Sequence, residues 1–434
     1  MVAAAWTMTH ATVGEGEEHV TQKDETDSRG GVLAIVLIGG GATWATEANS
    51  ASVLSTTPLP TPSGAASVGV DERTDRAVVV GAGATGSVTI LDATTGQPVH
   101  SAPLDGRVSG PAATAISPAT GHTFVLNTYG RGAAPGATMA MLDTRTGAPV
   151  RTICVPPEPW AAAVDDRDAR VFVTSIGAAP VAGNARSGGR VSMVDVHSGA
   201  LLRTVVVGRM PESVAVDTAT RRVFVANFAD NTVSVLDANT GATVWTASVG
   251  AHPIALAVAT GTGRVFVANE DSQSVSMLDA RNGHVLQTTP VGYPSAMAVD
   301  DRAGRVLVAN EDNGTVSVLD AANGTLVQTL TVGGSPSALA MDARTDDAFV
   351  TSTQSNRPLY MRLHSIARMG LSWLDEGNNA GMTVLDIQRA RVRVRCTVRV
   401  GAAPQGGIAV DARVGHVFVV GAGGARVSML DAAR

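Results

Sequence analysis

A glycine-rich stretch from Gly81 to Gly86 matches G-x-G-x-x-G, the pattern that holds a pyrophosphate in dinucleotide-binding folds. Those folds place a helix directly after the glycines, so that the amino-terminal end of the helix faces the phosphates. Here Ser87–Leu91 follows, and its residues are typical of a β-strand. We therefore interpret the glycines as a hairpin between two strands, and the sequence indicates no cofactor.

Regularly spaced aspartates are a second chemical candidate, because clustered carboxylates can bind a metal ion or transfer protons. Each aspartate ends a short apolar run and precedes a turn, as in Asp237-Ala-Asn-Thr-Gly241. In such a turn the aspartate accepts hydrogen bonds from backbone amides, and the glycine adopts a positive φ. A residue that recurs in every unit serves the unit, so we interpret all of them as turn-capping acids: Asp92, Asp143, Asp195, Asp237, Asp279, Asp320, Asp386 and Asp431.

The sequence contains no G-x-S-x-G, H-E-x-x-H or C-x-x-C pattern. Glu270-Asp271 and Glu311-Asp312 are predicted hairpin tips that lack the alternating carboxylates of a calcium loop. We therefore expect solvated turns there and no metal site. Cys154 and Cys396 fall in repeat units that are not neighbours, so no disulfide is expected.

The chain repeats itself between Pro211 and Gly333. Three successive segments there are nearly identical, and Asp237, Asp279 and Asp320 mark matching points 42 and 41 residues apart. A fixed period of this length indicates a repeat architecture. Each unit has four short apolar runs separated by turn residues, which predicts a four-stranded antiparallel sheet. One such sheet is too small to be stable alone, so the units are predicted to be blades of a β-propeller. In the first unit the runs are Ser213–Val216, Val223–Ala226, Thr232–Leu236 and Val244–Val249.

Eight units occur along the chain, which is therefore predicted to be all-β. The last unit stops at Arg434 without a fourth strand, whereas Val53–Leu59 resembles a fourth strand without preceding strands. Pairing of this segment with the third strand of the last unit would close the ring and cover both open edges. Eight blades are the favoured count, and seven are the alternative if one of the first two units forms no blade of its own.

The repeat R-V-F-V-A-N, T-V-S-V-L-D, T-G and V-G-x-x-P resembles that of the YVTN-repeat β-propellers, the YncE-like proteins of bacteria and archaea. Asn127, Asn227, Asn269 and Asn310 stand where that family has the Asn of its signature. We interpret these residues as structural, because they recur from unit to unit. The resemblance covers roughly residues 53–434 and implies an exported binding or surface protein.

Residues 1–50 precede the repeats as a leader without a period. Their charged run is typical of disorder, and the uncharged segment 31–46 has the length of a secretory signal core or an N-terminal anchor. We expect an extracytoplasmic protein, whether periplasmic, secreted or anchored. A buried strand or a cytosolic tail is the alternative for this segment. Residues 51–434 form the predicted propeller, with an insertion at 353–380.

The charge balance argues against a nucleic-acid partner. The chain of 434 residues has a formal net charge of −6, which gives no overall electrostatic attraction to phosphate backbones. Membrane contact is expected only through an N-terminal anchor. We expect a monomer.

The units differ mainly on one predicted face, which holds the hairpins between second and third strands and the links between blades. Its longest departure is the insertion 353–380, where Leu359, Leu363, Ile366 and Trp373 have roughly helical spacing. The sequence leaves two interpretations of this insertion, a lid helix and a surface loop. Insertions on one face of a repeat scaffold usually mark the binding face. The candidate binding residues on this face are Glu158, Trp160, Arg209, Glu212, His252, Tyr293, Gln405, Arg362 and Trp373.

These observations favour a non-catalytic binding or interaction module, with a protein or a small molecule on the loop-rich face. The alternative is a lactonase- or lyase-like enzyme in which Glu158, Glu212, His252 and Gln405 converge at the channel mouth. Ionisable side chains from several blades at one pocket would favour the enzyme. A channel lined by alanine and serine would argue against it.

Overall fold

The computed structural model describes residues 51–59, 65–81, 86–104, 114–127, 137–177, 188–342, 344–353, 380–388, 391–401, 407–421 and 426–431. The predicted leader, with its segment 31–46, lies outside these ranges. So do residues 354–379 of the insertion, where the helical spacing was noted.

The described residues form eight four-stranded antiparallel sheets, which are the blades of the propeller. Blade 1 contains β2 (Ala65–Asp71), β3 (Arg76–Gly81), β4 (Ser87–Asp92) and β5 (Pro98–Pro103). Blade 2 contains β6 (Thr114–Ser117), β7 (His122–Asn127), β8 (Ala137–Asp143) and β9 (Pro149–Val155). Blade 3 contains β10 (Pro159–Asp165), β11 (Arg170–Ser175), β12 (Arg190–Asp195) and β13 (Leu201–Val206). Blade 4 contains β14 (Pro211–Asp217), β15 (Arg222–Asn227), β16 (Thr232–Asp237) and β17 (Thr243–Ser248).

The second half of the ring continues the same order. Blade 5 contains β18 (Pro253–Ala259), β19 (Arg264–Asn269), β20 (Ser274–Asp279) and β21 (Val285–Pro290). Blade 6 contains β22 (Pro294–Asp300), β23 (Arg305–Asn310), β24 (Thr315–Asp320) and β25 (Leu326–Thr331). Blade 7 contains β26 (Ser335–Asp342), β27 (Asp347–Thr353), β28 (Ala380–Gln388) and β29 (Arg391–Gly401). Blade 8 contains β30 (Ile408–Asp411), β31 (His416–Gly421), β32 (Arg426–Asp431) and β1 (Ser52–Pro58).

The first strand of each blade is innermost and the last is outermost. Each inner strand contacts the inner strands of both neighbouring blades, from β2 through β30 and back to β2. The loops therefore alternate between two faces. The turn face carries the turns between first and second and between third and fourth strands. The hairpin face carries the hairpins between second and third strands and the links between blades.

An N-terminal strand closes the ring, as the sequence predicted. β1 pairs antiparallel with β32, with Val53 opposite Leu430 and Thr57 opposite Val427. Its position makes β1 the outer strand of the last blade, so eight blades are present rather than seven. The glycine-rich stretch is also confirmed as a hairpin, because β3 ends at Gly81 and β4 begins opposite it at Ser87.

The core lies between blades. Six of the seven phenylalanines occupy the same position in second strands and are fully buried: Phe124, Phe172, Phe224, Phe266, Phe349 and Phe418. Phe224 of blade 4, for example, shares a cluster with Val265 and Val267 of blade 5. Full burial of one such ring contributes about 3 kcal/mol, so each interface between blades is a small hydrophobic core.

The repeated aspartates cap turns on the turn face and also pair with arginine, a role that the sequence analysis missed. In five blades the first residue of the second strand is an arginine that lies opposite the last residue of the third strand. The NH1–Oδ2 distances are 3.0–3.2 Å for Arg76–Asp92, Arg170–Asp195, Arg222–Asp237, Arg264–Asp279 and Arg305–Asp320. Gly241, at the end of one such turn, has the expected positive φ of 68°.

Blade 7 departs from this arrangement, and the interpretation of Asp386 as a turn-capping acid is wrong. β28 continues to Gln388, which lies opposite Arg391, so the strands extend two residues beyond Asp386. The residues after Asp386 include no glycine that could form the shorter turn. The second strand of this blade also begins with Asp347 instead of arginine, and Asp347 pairs with Arg395 of the outer strand. Burial raises the pKa of Asp347, and Arg395 opposes that rise.

Turns at the inner ends of the blades reach across to the next blade on the turn face. These contacts include side chains of Arg73, Arg167 and Arg344, which donate to the carbonyl oxygens of Pro118, Thr218 and Ala412. Arg413 of blade 8 pairs with Asp75 of blade 1 at the closure of the ring. The turn face is therefore held together by contacts between neighbouring blades.

No helix in the described part of the chain is long and apolar enough to cross a membrane. Cys154 lies on β9 of blade 2 and Cys396 on β29 of blade 7, and both are free thiols.

The closing strand can be tested by truncation. A variant that lacks residues 1–59 loses β1 and leaves β32 as an open edge, so we expect a melting temperature lower by at least about 5 °C. A variant that lacks only residues 1–50 retains β1 and serves as the control. Equal melting temperatures for the two variants in calorimetry would contradict the closure.

The capped turns predict a dependence of stability on pH. The backbone N–H of Ser198 donates to Asp195 and lowers the pKa of that carboxyl. Burial opposes the effect, whereas the Ser198 hydroxyl and Arg170 add to it, and the pKa lies below its ordinary 3.8. The stabilisation is therefore complete above about pH 4 and is lost as the pH falls through the lower, folded-state pKa.

Asp195→Asn should lower the free energy of unfolding by about 1–2 kcal/mol at pH 7, because it removes charge-assisted hydrogen bonds. Urea denaturation at pH 7 and at pH 3 measures the difference between the two proteins. The difference should shrink at pH 3, and an undiminished difference there would refute the assignment.

Candidate functional site

The hairpin face is described most completely at blades 4 to 6. Here the links 207–210, 249–252 and 291–293 lie beside the hairpins 228–231, 270–273 and 311–314. Three predicted site residues, Gln405, Arg362 and Trp373, lie outside the described residues. The remaining six are placed, and their surroundings decide what this face offers to a ligand.

A glycine allows each link to cross tightly over its own blade. Gly250 lies directly on the buried Asn269, and a Cβ atom at Gly250 would lie 2.7 Å from Cγ of Asn269. Gly208 and Gly292 stand in the same relation to the asparagines of blades 4 and 6. Real Cβ contacts are longer than this, so a side chain at these positions would push the link away from the hairpin.

The asparagines of the signature position are structural, as predicted. Asn227 is fully buried, and its Nδ2 donates to the hydroxyls of Thr232 at 3.0 Å and Ser234 at 2.9 Å. Asn269 and Asn310 make the equivalent bonds in blades 5 and 6. Each asparagine therefore ties the end of the second strand to the third strand and fixes the base of the hairpin.

The residue before the first proline of a blade connects link and hairpin. Glu158, Met210 and His252 hold this position with φ values of 55°, 51° and 54°. Such a conformation costs a non-glycine residue about 1–2 kcal/mol. Their carbonyl oxygens accept the N–H of the first hairpin residue at 2.8–2.9 Å, which offsets the cost, and Tyr293 accepts an equivalent bond. The links are thus fixed to the hairpins by backbone hydrogen bonds.

Arg209 and Asp230 form the first charged pair on this face. Nε of Arg209 donates to Oδ1 of Asp230 at 2.5 Å, and the backbone N–H of Arg209 donates to Oδ2 at 2.7 Å. The Arg209 side chain remains 49% exposed, so its guanidinium group can still reach a ligand. The pair joins the link of blade 4 to the hairpin of the same blade.

His252 connects blade 5 to two hairpins at once. Its ring stacks on Phe228 of blade 4, with centroids 4.2 Å apart and planes 6° from parallel. Its backbone N–H donates to Oδ1 of Asn231, and its Nδ1 lies 2.6 Å from Oδ2 of Asp271 in its own blade. Arg209 and His252 therefore both contact the hairpin 228–231, one from each side.

The other four predicted residues lie on further links and on inner strands. Glu158 is exposed on the link of blade 3, and Tyr293 is half-buried on the link of blade 6. Trp160 and Glu212 are half-buried second residues of the inner strands β10 and β14. Arg209 and His252 are the described candidates whose contacts with one and the same hairpin are established.

Sequence reasoning missed the hairpin partners of these two residues. Phe228, Asp230 and Asn231 were passed over, and Asp271 was considered only as a solvated tip. For Asp230 and Asp271 the alignment of the repeats carried a usable signal, because each lies on the hairpin beside the link of its own blade. Charged or aromatic residues at both positions therefore mark contacts on this face.

The inner strands bring few ionisable groups to the axis. Between the first and last residues of the described inner strands, Glu212 is the one ionisable residue, and the others are mainly Ala, Ser, Val, Leu and Met. Aspartates stand at the turn-face end of six of these strands, where they are buried and cap turns, as Asp217 does. No group of three His, Cys, Asp or Glu side chains in the described ranges could hold a metal ion.

The tight link crossing provides a test of how this face is built. Gly250→Ala should lower the free energy of unfolding by about 1–3 kcal/mol, because its Cβ overlaps Asn269. Gly261→Ala in the same blade meets no heavy atom closer than 3.6 Å and should change stability by less than about 0.5 kcal/mol. Urea denaturation of both variants measures the two effects, and similar values for both would disprove the crossing.

Comparison with known proteins agrees with this architecture. A family model described as PQQ_2, Outer membrane protein assembly factor BamB, matches residues 229–417. The crystal structure of BamB from Moraxella catarrhalis superposes with a TM-score of 0.57 at 15% sequence identity. The superposition covers 88% of this chain and 100% of the other. No curated protein matches the sequence. The resemblance to YVTN-repeat proteins stays a prediction from the repeat sequence. The chain is an eight-bladed β-propeller similar to the PQQ-like propellers of BamB type.

Proposed function

We propose that the chain is a non-catalytic, extracytoplasmic binding module that engages a protein partner with the hairpin face of blades 4 to 6. The observation that carries the proposal is the contact of Arg209 and His252 with one hairpin. Charged and aromatic side chains from two blades are held there in fixed positions by Asp230, Phe228 and Asp271. Fixed side chains lose little conformational entropy on binding, which favours recognition of a partner.

The chemistry of this face suits a basic surface on the partner. The hairpins of blades 4 to 6 carry Asp230, Asp271, Glu311 and Asp312 as well as the buried Glu270, against Arg209 and His252 on the links. The excess of carboxylates gives the face a negative potential. Complementary charge accelerates association and excludes acidic partners.

The comparisons support a binding role and a location outside the cytoplasm. The matching family description and the matching structure both concern BamB, which the description calls an outer membrane protein assembly factor. The segment 31–46 has the length of an export signal or anchor, which agrees with that location. The proposed face also includes Gln405, Arg362 and Trp373, which the sequence assigns to it, together with Glu158, Trp160, Glu212 and Tyr293.

The inner strands favour binding over the lactonase- or lyase-like alternative. Enzymes of those types need acid and base groups that face each other across a pocket. The described inner strands offer Glu212 and a lining of mostly small and aliphatic residues. Arg209 is held by Asp230 and His252 by Asp271 and Phe228, which suits a rigid recognition surface.

Site-specific photo-crosslinking in the native host tests the proposal. A photoreactive phenylalanine analogue replaces Ser272 or Asn313 on the hairpin face, and Arg145 or Arg281 on the turn face serves as the control. We expect one recurring protein adduct from the hairpin face and none from the turn face. The charge reversal Arg209→Glu should alter the yield of that adduct at least about tenfold, since it disrupts the pair with Asp230.

Two results would contradict the proposal. Equal adducts from both faces would show that this face has no special role. Recovery of the protein from the cytosolic fraction of the same cells would refute the extracytoplasmic location.

A further inference from the structure

The outer strand of blade 7 differs from every other outer strand in length. β29 has 11 residues, whereas the other seven outer strands have six or seven. The additional length begins at the turn face, where the pairing of β28 with β29 continues to Gln388 and Arg391. Blade 7 therefore has the longest outer strand among the described blades.

The charge of β29 is also unusual. Its sequence alternates arginine with valine, and Arg391, Arg393 and Arg399 are exposed. None of these three arginines forms an ion pair or hydrogen bond with another residue in the described part of the chain. Arg151 and Arg203, on the outer strands of blades 2 and 3, instead donate to carbonyl oxygens of the following blade.

The outer strands of the other blades carry an aliphatic residue where β29 has Arg395. A bulge interrupts each outer strand, and the bulged residue is 43–51% exposed in Leu54, Val99, Val150, Leu202, Val244, Leu286 and Val327. In blade 7 the corresponding Arg395 pairs with the buried Asp347. Asp347 is thus paired with Arg395, whereas Asp386 lies opposite Arg393 in the register and accepts a hydrogen bond from Gln388.

β29 is the last strand of its sheet, so no further strand pairs with its outer edge, and the N–H of Val392 donates to Oε1 of Gln328 in blade 6. Arg391 and Arg393 flank the buried Val392, so both point to the opposite side of the strand, about 7 Å apart. A further strand with acidic residues at alternate positions would meet both guanidinium groups while its backbone extends the ladder.

We propose that β29 is a docking edge for an extended acidic segment of a partner protein, which adds to blade 7 as a fifth strand. Charged residues on an edge strand ordinarily oppose pairing with a second copy of the same strand. That repulsion becomes attraction for a strand of opposite charge. In a chain of net charge −6, three exposed arginines that form no ion pair with other described residues are a local excess of positive charge that selects such a partner.

This edge is separate from the hairpin face of blades 4 to 6. The two proposals are therefore tested independently, the first by photo-crosslinking and this one by peptide binding. The probe for β29 is a capped ten-residue peptide in which Glu and Thr alternate, added to the full-length protein. Binding is measured by fluorescence anisotropy, and protection of β29 by amide hydrogen exchange.

We expect the Glu-Thr peptide to bind and to slow exchange in residues 391–401. A Glu-Pro peptide carries the same charge but cannot form a regular ladder, so it should bind at least about tenfold more weakly. Equal binding of the two peptides would overturn strand addition, and absence of binding would show that the arginines only protect the edge.

Charge reversal identifies the residues involved. Arg391→Glu combined with Arg393→Glu should weaken binding of the Glu-Thr peptide at least about tenfold. Arg145→Glu combined with Arg281→Glu makes the same change in net charge at exposed turns of blades 2 and 5 and should leave binding nearly unchanged. Equal losses in the two double variants would overturn the assignment to β29. Melting temperatures of both establish that they fold.

Discussion

Each blade depends on its neighbours because a four-stranded sheet with two apolar faces has no interior of its own. Phe224 and the valines around it are buried only because blade 5 stands against blade 4. The same contact recurs around the ring, and the arginines of the turn face reinforce it from blade to blade. Stability is therefore a property of the closed ring, and single blades contribute to it through their interfaces.

This division leaves the hairpin face free to vary. The glycine of the link and the buried asparagine of the second strand fix where link and hairpin meet, as Gly250 and Asn269 do. The identity of residues beyond that point does not affect how link and hairpin meet. Blades 4 and 5 use this freedom to bring Arg209 and His252 against one hairpin, whereas blade 6 has Tyr293 on a link one residue shorter.

The repeat made most of the fold predictable, because equal sequences with a fixed period must build equal units. The strands, the eight blades and the closure by Val53–Leu59 all followed from it. Side-chain contacts between blades could not be predicted from the repeat, since its period does not indicate that His252 stacks on Phe228. The lengthened strands of blade 7 were also missed, because Asp386 ends an apolar run like its counterparts and only the absent glycine distinguishes it.

The closing pair of strands also determines how the chain can fold. Val53 of β1 pairs with Leu430 of β32, which follows the seven other blades in the chain, so blade 8 has no outer strand until those blades are synthesised. Contacts of such high sequence separation form slowly, and the edge of β1 stays unpaired until they form. The nascent protein therefore passes through an open ring with two exposed strand edges, a state that is vulnerable to aggregation until its ends meet.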